Sequence, residues 1–343
     1  RFMRAQPTQK DATPIGPVAT AMKWSTTSTN IPTKPEYHPL ERTAVFAEHT
    51  SAEEVVERVC KVIRARSIDV LGYDLKKAKA KCVTQDNVDF RVRFYRGRKT
   101  YSHGIIVEVQ RRYGFAISFY ADTAAILKAA KGEEYEQPDT KSPFAGDKFA
   151  VDEYDESAGS QMLEVVSTML NEDRTVEEHR LALQTLKSIT DSNKMGETTA
   201  KKISEKLLTN ENTRFIRDVI LGFGLSDRTD SYDEADEEYE RRSLALSVLA
   251  NVLSNASRDA LQSIQAPAQK TIIPTLTEDI ANAENQVRMA HLAARCMEPL
   301  IAKGFQLGND SVLREAIIAA QLVGQARYAG LEIEAARCLK VLG

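Results

Sequence analysis

The sequence carries the motif AARCM at residues 293–297 and repeats it almost unchanged, as AARCL, at residues 335–339. The two copies are 42 residues apart. A period near this value is typical of chains built from stacked units of two or three helices. One such unit cannot bury its apolar face alone, so neighbouring units must share a continuous core. The repeat therefore predicts that the second half of the chain is a stack of helices.

Weaker copies of the motif extend this interpretation towards the middle of the chain. The sequence ALxxL occurs at residues 182–186 and again at 245–249, which are 63 residues apart, and the AARCM motif follows 48 residues later. Alanine lets helices approach closely, and leucine fills the gaps between layers. The pattern resembles armadillo and HEAT repeats, which implies an all-α armadillo/HEAT-like solenoid over residues 157–343. We expect this solenoid to bind a protein partner, and we expect Leu249 and Ala336 to be buried between its helices.

Residues 51–132 have a different pattern. Ser51 and Glu54 fit a helix capping box, and apolar residues then recur at helical spacing. After Gly72 the apolar spacing changes to two, which predicts strands near residues 77–82, 88–95, 104–109 and 115–119. Asp122 is expected to cap a second helix that ends at Gly132. The predicted fold is a small α+β domain, with an antiparallel four-stranded sheet and two helices on one face.

This region resembles the kinase-associated domain one, which several Ser/Thr kinases carry at their C-termini. The resemblance rests on the opening helix SAEEVV, the strands VDFRVRF and GIIVEV, and a closing helix that contains Ile126 and Leu127. It implies that the domain binds anionic phospholipid or holds a kinase inhibited. The sequence departs from the family in two ways. It has no glycine-rich phosphate loop and no catalytic His-Arg-Asp or Asp-Phe-Gly triplet, and the domain precedes a solenoid.

Proline-rich and acidic stretches separate the predicted domains. Residues 1–45 contain six prolines among many Thr and Ser residues, which predicts a disordered linker. Residues 133–156 are acidic and contain two prolines, which predicts a second linker. The predicted domains are therefore 46–132 and 157–343. Because the sequence starts at Arg1, we expect it to be a fragment of a longer protein.

Basic residues concentrate in the small domain, although the net charge of the whole chain is −3. Residues 58–112 contain 15 Lys or Arg but only 5 Asp or Glu. Ordinary surfaces mix charges of both signs, so this excess predicts a site for an anionic surface; a merely solvated sheet face is the alternative. The candidate residues are Lys77, Lys79, Lys81, Arg91 and Arg93 on one sheet face, Arg96, Arg98 and Lys99 in the adjoining loop, and Arg111 and Arg112 at a second turn.

Other classes of function find less support in the sequence. Nucleic acid fits the basic face less well than a membrane does, because few aromatic residues accompany the cations. The five histidines and four cysteines lie in no metal-site motif, so we predict no metal, no cofactor and no catalytic residue. The resulting interpretation is a non-enzymatic scaffold in the cytoplasm, or peripherally bound to a membrane. The alternative is a regulatory C-terminal fragment of a larger enzyme such as a Ser/Thr kinase.

Overall fold

The computed structural model describes residues 31–34, 40–135, 156–225, 235–308 and 310–343. These residues form a mixed α+β region followed by a long helical region. Each region has its own hydrophobic core. The first core contains buried residues between Ile31 and Ala130, and the second contains buried residues between Leu163 and Cys338. The prediction of a small α+β part and a larger helical part is confirmed at this level.

The α+β region is built on an antiparallel sheet of five strands. Their order across the sheet is β1-β5-β4-β3-β2, so β1 and β2 are the edges. Residues alternate between the two faces, and Phe90, Val92 and Phe94 of the central β4 are buried on one of them. The bounds are β1 (Ala44–Glu48), β2 (Asp69–Asp74), β3 (Lys79–Val83), β4 (Asp89–Arg96) and β5 (Gly104–Tyr113).

Two helices share a core with the apolar face of this sheet. The helix α1 (Ala52–Ala65) begins at Ser51, whose side chain accepts a hydrogen bond from the Glu54 amide as the capping pattern predicted. The helix α2 (Ala116–Lys131) ends at Gly132, whose φ of 82° is the left-handed conformation that glycine adopts without steric cost. Buried residues of both helices belong to the same core as the inward strand residues. We call the opposite side of the sheet the helix-free face.

The strand prediction needs three corrections. Strands β1 and β2 were not predicted, and residues 115–119, which were predicted as a strand, belong instead to the start of α2. Apolar residues alternate along this segment, but the alternation does not reflect a buried strand face. Phe115 and Ile117 are exposed, and only Phe119 of the three alternating apolar residues is buried. Phe119 begins a stripe with Thr123, Ile126 and Ala130, which repeats at helical spacing. The helix also starts before Asp122, the residue expected to cap it.

Residues 31–34 pack against the sheet, within the segment that was predicted to be a linker. Ile31 is buried, and the backbone of residues 32–34 brackets Arg96 of β4. The Arg96 amide donates to the Pro32 carbonyl at 2.9 Å, and the Lys34 amide donates to the Arg96 carbonyl at 3.0 Å. The remainder of the predicted linker 1–45, up to the residues just before β1, lies largely outside the described residues, as does most of 133–156.

Among its described residues, the second region contains only helices and the turns and loops that join them. Its first helices, α3 and α4, are separated by a short turn, and Thr175 and Glu178 form the predicted capping box before α4. A π-helical turn at Ala268–Ile272 precedes α11. The bounds are α3 (Glu156–Met169), α4 (Val176–Ile189), α5 (Ser192–Met195), α6 (Glu197–Thr209), α7 (Arg214–Gly224), α8 (Ala235–Asn255), α9 (Arg258–Gln262), α10 (Gln265–Pro267), α11 (Ile273–Ala281), α12 (Val287–Ala302), α13 (Asp310–Arg327) and α14 (Ala329–Leu342).

The repeated motif lies on α12 and α14, which pack against each other. Each copy makes the same kind of contact with the preceding helix of the series. The Cys296 thiol donates to the Leu246 carbonyl of α8 at 3.5 Å, and the Cys338 thiol donates to the Ala294 carbonyl of α12 at 3.3 Å. The predicted burial of Leu249 is confirmed, but Ala336 is exposed because it lies on the side of α14 that faces solvent.

Polar contacts join the helical region to the turn between β3 and β4. The Lys187 ammonium of α4 donates to the Gln85 carbonyl at 3.2 Å, and Arg288 of α12 donates to the same carbonyl and to the Asn87 side chain. Burial lowers the pKa of Lys187 to about 8, and the neighbouring Arg288 adds to the effect. The Gln85 backbone carbonyl therefore accepts hydrogen bonds from cationic side chains on two different helices.

A second group of contacts lies at the end of α1 and the start of β2. Tyr239 of α8 donates to the Asp69 carboxylate at 2.6 Å, and the Gly330 amide donates to the Ser67 hydroxyl at 2.8 Å. Burial raises the pKa of Asp69, and the Tyr239 hydrogen bond opposes that shift. The two regions thus meet through specific hydrogen bonds between otherwise separate cores.

Candidate anionic-surface site on the sheet

Four basic side chains lie together on the helix-free face. Lys79 of β3 is directly opposite Arg93 of β4, and Lys81 is directly opposite Arg91. All four are partly exposed, while the residues between them point into the core. Side chains directly opposite each other on antiparallel strands have Cβ atoms about 5 Å apart. We call Lys79, Lys81, Arg91 and Arg93 the basic quartet.

Like charges directly opposite each other destabilise a sheet, and the quartet contains two such pairs. The mutual repulsion contributes to a lowered pKa of Lys79. Partial burial lowers its pKa, and Arg91, Lys77 and Arg93 lower it further, while Asp74 opposes them. The Arg93 guanidinium donates to the Tyr95 hydroxyl at 3.2 Å, which anchors one member of the quartet at the next position along the same face.

Acidic residues also lie on this face: Asp74 of β2 is directly opposite Lys79, and Glu108 of β5 is paired with a lysine from outside the quartet. Glu108 of β5 lies opposite Arg93, but its carboxylate forms an ion pair with Lys34 at 3.1 Å. The side chains of Lys34 and Glu108 are only 5% and 6% exposed. Because Lys34 already compensates the Glu108 charge, Glu108 adds little to the neutralisation of the quartet. No local pattern predicted this pair, since Lys34 lies in a proline-rich stretch.

The structure separates the other predicted site residues from the quartet. Lys77 lies in the turn between β2 and β3, with its ammonium 3.8 Å from the Asp74 carboxylate. Arg96 is the last residue of β4, and its guanidinium donates to the Ile31 carbonyl at 3.2 Å. Arg98 and Lys99 lie at the start of a short 3-10 helix just beyond it. Arg96, Arg98 and Lys99 extend the positive surface at this end of β4.

Arg111 and Arg112 lie at the opposite end of the sheet. Arg111 is directly opposite Phe90 in the regular register, so it does not lie on the helix-free face, and its guanidinium donates to the Gly114 carbonyl at 2.6 Å. The exposed side chains of Phe115 and Ile117 follow directly in the sequence. The structure therefore does not bring Arg111 and Arg112 together with the quartet.

The helical region borders the helix-free face at this end. The Arg180 guanidinium of α4 stacks on the Tyr113 ring, 4.6 Å from its centroid. Arg180 also lies 3.9 Å from the Glu240 carboxylate of α8. Partial burial raises the pKa of Tyr113, while the Arg180 cation opposes that shift. This contact lies at the Tyr113 end of the face, and the partly exposed quartet lies away from it.

Comparison of the chain with protein-family models, with curated proteins and with solved structures yields no match in any of the three searches. Among the residues that the structure describes, no helix combines the length and the apolar character needed to cross a membrane. The fold and the site therefore define the molecule as an antiparallel α+β unit with a basic sheet face, joined to a large helical region.

Proposed function

We propose that the chain is a non-enzymatic interaction protein. The basic quartet docks on an anionic phospholipid surface, and the helical region, an armadillo/HEAT-like solenoid, binds a protein partner. The membrane dock is peripheral and faces the cytoplasm. The resemblance of the first region to the kinase-associated domain one supports the phospholipid assignment. The single observation that carries it is the arrangement of the quartet on the helix-free face.

The arrangement of the quartet supports the proposal because it lowers the stability of the sheet. Two cross-strand pairs place like charges directly opposite each other, although alternating charges would stabilise the same strands. Proteins break such local rules mainly at functional sites. There, a ligand of opposite charge can offset the repulsion between the like charges. Phosphate groups of an anionic membrane supply that opposite charge here, because a flat bilayer can meet four cations of a sheet face at once.

The expected binding free energy indicates that the quartet binds a membrane stably only together with a second contact. Each basic residue near an anionic leaflet contributes about 1 kcal/mol. Four residues give about 4 kcal/mol, which corresponds to a dissociation constant of about 1 mM. Arg98 and Lys99 lie beyond the same end of β4 and can add to it. A partner held by the helical region raises the effective concentration at the membrane further.

The stacking of α4, α8, α12 and α14 supports the solenoid assignment. Each of these helices packs on the next one in the series. The two copies of the AARC motif use their thiols in equivalent hydrogen bonds, as neighbouring units of a repeat would. Exposed apolar side chains on α13 and α14, among them Ile318, Leu322 and Ile333, support a protein-binding role for this surface.

The alternative function is regulation of an enzyme, such as a Ser/Thr kinase, of which this sequence would be one part. The kinase-associated resemblance favours it, because such regions also hold kinases inhibited. The two functions differ in whether this sequence is joined to a catalytic domain. A catalytic domain in the complete reading frame would favour regulation, and its absence there would favour the independent scaffold.

Co-sedimentation of the full chain with vesicles tests the membrane dock. Neutral phosphatidylcholine vesicles are compared with vesicles that also contain phosphatidylserine, at low and at physiological salt. We expect binding only to the anionic vesicles and weaker binding at the higher salt, because exposed charges are screened over about 10 Å at roughly 0.1 M. The test variant changes the quartet by Lys79→Glu, Lys81→Glu, Arg91→Glu and Arg93→Glu.

A matched control variant distinguishes the effect of losing the site from the effect of changing the net charge. It reverses the same number of exposed lysines on helices and so makes the same change in net charge, by Lys61→Glu, Lys128→Glu, Lys131→Glu and Lys201→Glu. We expect the control to bind anionic vesicles nearly as well as the parent, and the quartet variant to lose binding. Equal binding by the quartet variant and the parent would remove the sheet face from the site, and equal loss in both variants would reduce the effect to net charge.

A further inference from the structure

Three metal-ligating side chains meet where β1 ends and β5 begins. Glu48 is the last residue of β1 and pairs with Gly104, the first residue of β5. His49 and His103 are the residues immediately outside this pair, and the His49 amide donates to the His103 carbonyl at 3.0 Å. The sheet therefore fixes the backbone of all three residues. This corner lies at the far end of β1 and β5 from the strand positions opposite the quartet, so it is a separate site.

The donor atoms of these side chains converge on a small volume. The His103 Nε2 atom lies 2.7 Å from the Glu48 carboxylate, and the His49 Nε2 atom lies 3.5 Å from the same oxygen. One donor atom from each residue can be chosen so that all three lie within 4.8 Å of one another. Ligands at the usual zinc distances in a tetrahedral site are about 3.3 Å apart. Small side-chain rotations would bring the three donors to that spacing.

Packing restrains the His103 ring near the converged arrangement, and the backbone restrains His49. The His49 and His103 ring centroids are 4.8 Å apart. The Phe46 ring meets His103 edge-on, with centroids 5.2 Å apart and an interplanar angle of 90°. The His49 φ of 52° lies in the left-handed region, which few residues other than glycine adopt. Ring packing and a fixed backbone reduce the entropy that the ligands would lose on binding an ion.

The chemistry of the donors selects the class of ion. Two imidazole nitrogens and one carboxylate oxygen suit Zn²⁺, Ni²⁺ and Cu²⁺, whereas Mg²⁺ and Ca²⁺ prefer sites made of oxygens alone. Three protein ligands leave at least one position for water or a further ligand. All three side chains are exposed, so an ion can enter without rearrangement of the fold.

We propose that Glu48, His49 and His103 form a surface site for one divalent transition-metal ion of the zinc class. The ion bridges the end of β1 to the start of β5 and ties the edge strand to the centre of the sheet. It replaces the present hydrogen bond between His103 and Glu48 with two metal–ligand bonds. Binding releases protons from any charged imidazole, so affinity falls as the solution becomes more acidic.

Thiols offer little competition for the ion in the described part of the chain. Cys82, Cys296 and Cys338 are buried, and burial raises the pKa of Cys60 to about 12. A thiol must lose its proton to bind a metal, so thiols with raised pKa values are poor ligands at neutral pH. One equivalent of bound ion at pH 7.5 would therefore report on the histidine site.

Isothermal titration of the full chain with ZnCl₂ and, separately, with NiCl₂ tests the site. At pH 7.5 we expect one ion per chain with a micromolar dissociation constant, and at pH 5.5 at least tenfold weaker binding. The variants His49→Gln, His103→Gln and Glu48→Gln should each weaken binding at least tenfold. The controls His179→Gln and Glu57→Gln change the same residue types elsewhere and should bind as the parent does.

The unfolding temperature gives an independent readout of the bridge between the strands. We expect one equivalent of Zn²⁺ to raise the unfolding temperature of the parent, and to leave that of His103→Gln unchanged. Circular dichroism of each variant without metal checks that it is folded. The proposal is overturned if the folded parent binds no ion at 100-fold excess over a micromolar constant, or if the histidine variants bind like the parent.

Discussion

The ion pair between Lys34 and Glu108 gives the sharpest test of the structure around the basic face. The two side chains are 5% and 6% exposed and their charged atoms are 3.1 Å apart. Replacing Lys34 by Met keeps the apolar stem of the side chain but removes the cation. The Glu108 carboxylate is then buried beside the quartet without its main partner. We expect a substantial loss of stability, because an uncompensated buried charge costs far more than a lost surface contact.

The size of the loss follows from the surroundings of Glu108. Breaking a buried ion pair by removing one partner costs about 3–5 kcal/mol. The Gln110 side chain also donates to Glu108, so the carboxylate keeps one hydrogen bond and the lower figure of about 3 kcal/mol is expected. In hydrogen-exchange terms this is roughly a 100-fold faster exchange for amides of β4 and β5 that open with the α+β core.

Hydrogen-exchange mass spectrometry is the appropriate assay, because it reads the α+β region separately from the helical one. The double variant Lys34→Met with Glu108→Met removes both charges and should recover most of the protection, since an apolar pair of similar size avoids the desolvation cost. Lys61→Met is the control, because Lys61 and its partner Glu57 are both exposed, and no measurable change is expected. The buried pair would be refuted if Lys34→Met left the exchange rates unaltered. It would also be refuted if the double variant lost as much protection as the two single variants together.

Three other predictions concern the helical region and its contact with the sheet. Leu249→Asp should cost more than about 4 kcal/mol because Leu249 is buried, whereas Leu181→Asp on the exposed side of α4 should be nearly neutral; equal urea midpoints would contradict the packing. Tyr239→Phe removes the hydrogen bond to Asp69 and should cost about 1–3 kcal/mol in urea unfolding. Burial, with the neighbouring arginines adding to it, lowers the pKa of His291 to about 3, so the folded state stays neutral while the unfolded state gains a proton below about pH 6.5. Parent stability should therefore fall on acidification from pH 6.5 to 4.5 by about 2 kcal/mol more than that of His291→Leu, and parallel pH profiles would contradict this.

Local patterns decided much of the fold, because periodicity reports directly on which face of an element is buried. The alternation in β4 placed Arg91 and Arg93 opposite the helix-packed face, and the structure has them there. The capping pairs at Ser51 and Thr175 marked helix starts for the same local reason. The pattern failed at residues 115–119, where apolar side chains are exposed at the start of a helix and spacing no longer reports burial.

The AARC repeat shows where local information ends. Its period predicted that the two copies pack in related ways, and the two thiol hydrogen bonds are indeed equivalent. It also predicted that Ala336 is buried, which is wrong, because burial at that position depends on which helix lies next to α14 in space. Periodicity gives the face of a helix, whereas its neighbours are fixed only by the packing of the whole region.

By itself, the sequence determined the division into an α+β part and a helical part, three of the five strands, and the excess of positive charge near them. Only the tertiary structure decided how those charges are grouped: it brought Lys79 opposite Arg93, set Lys34 on Glu108, and moved Arg111 and Arg112 to the other end. It also joined His103 to Glu48 and His49 across two strands. Each of these outcomes depends on strand register or on contacts between distant segments, and both arise from core packing that acts over the whole fold rather than from any local pattern.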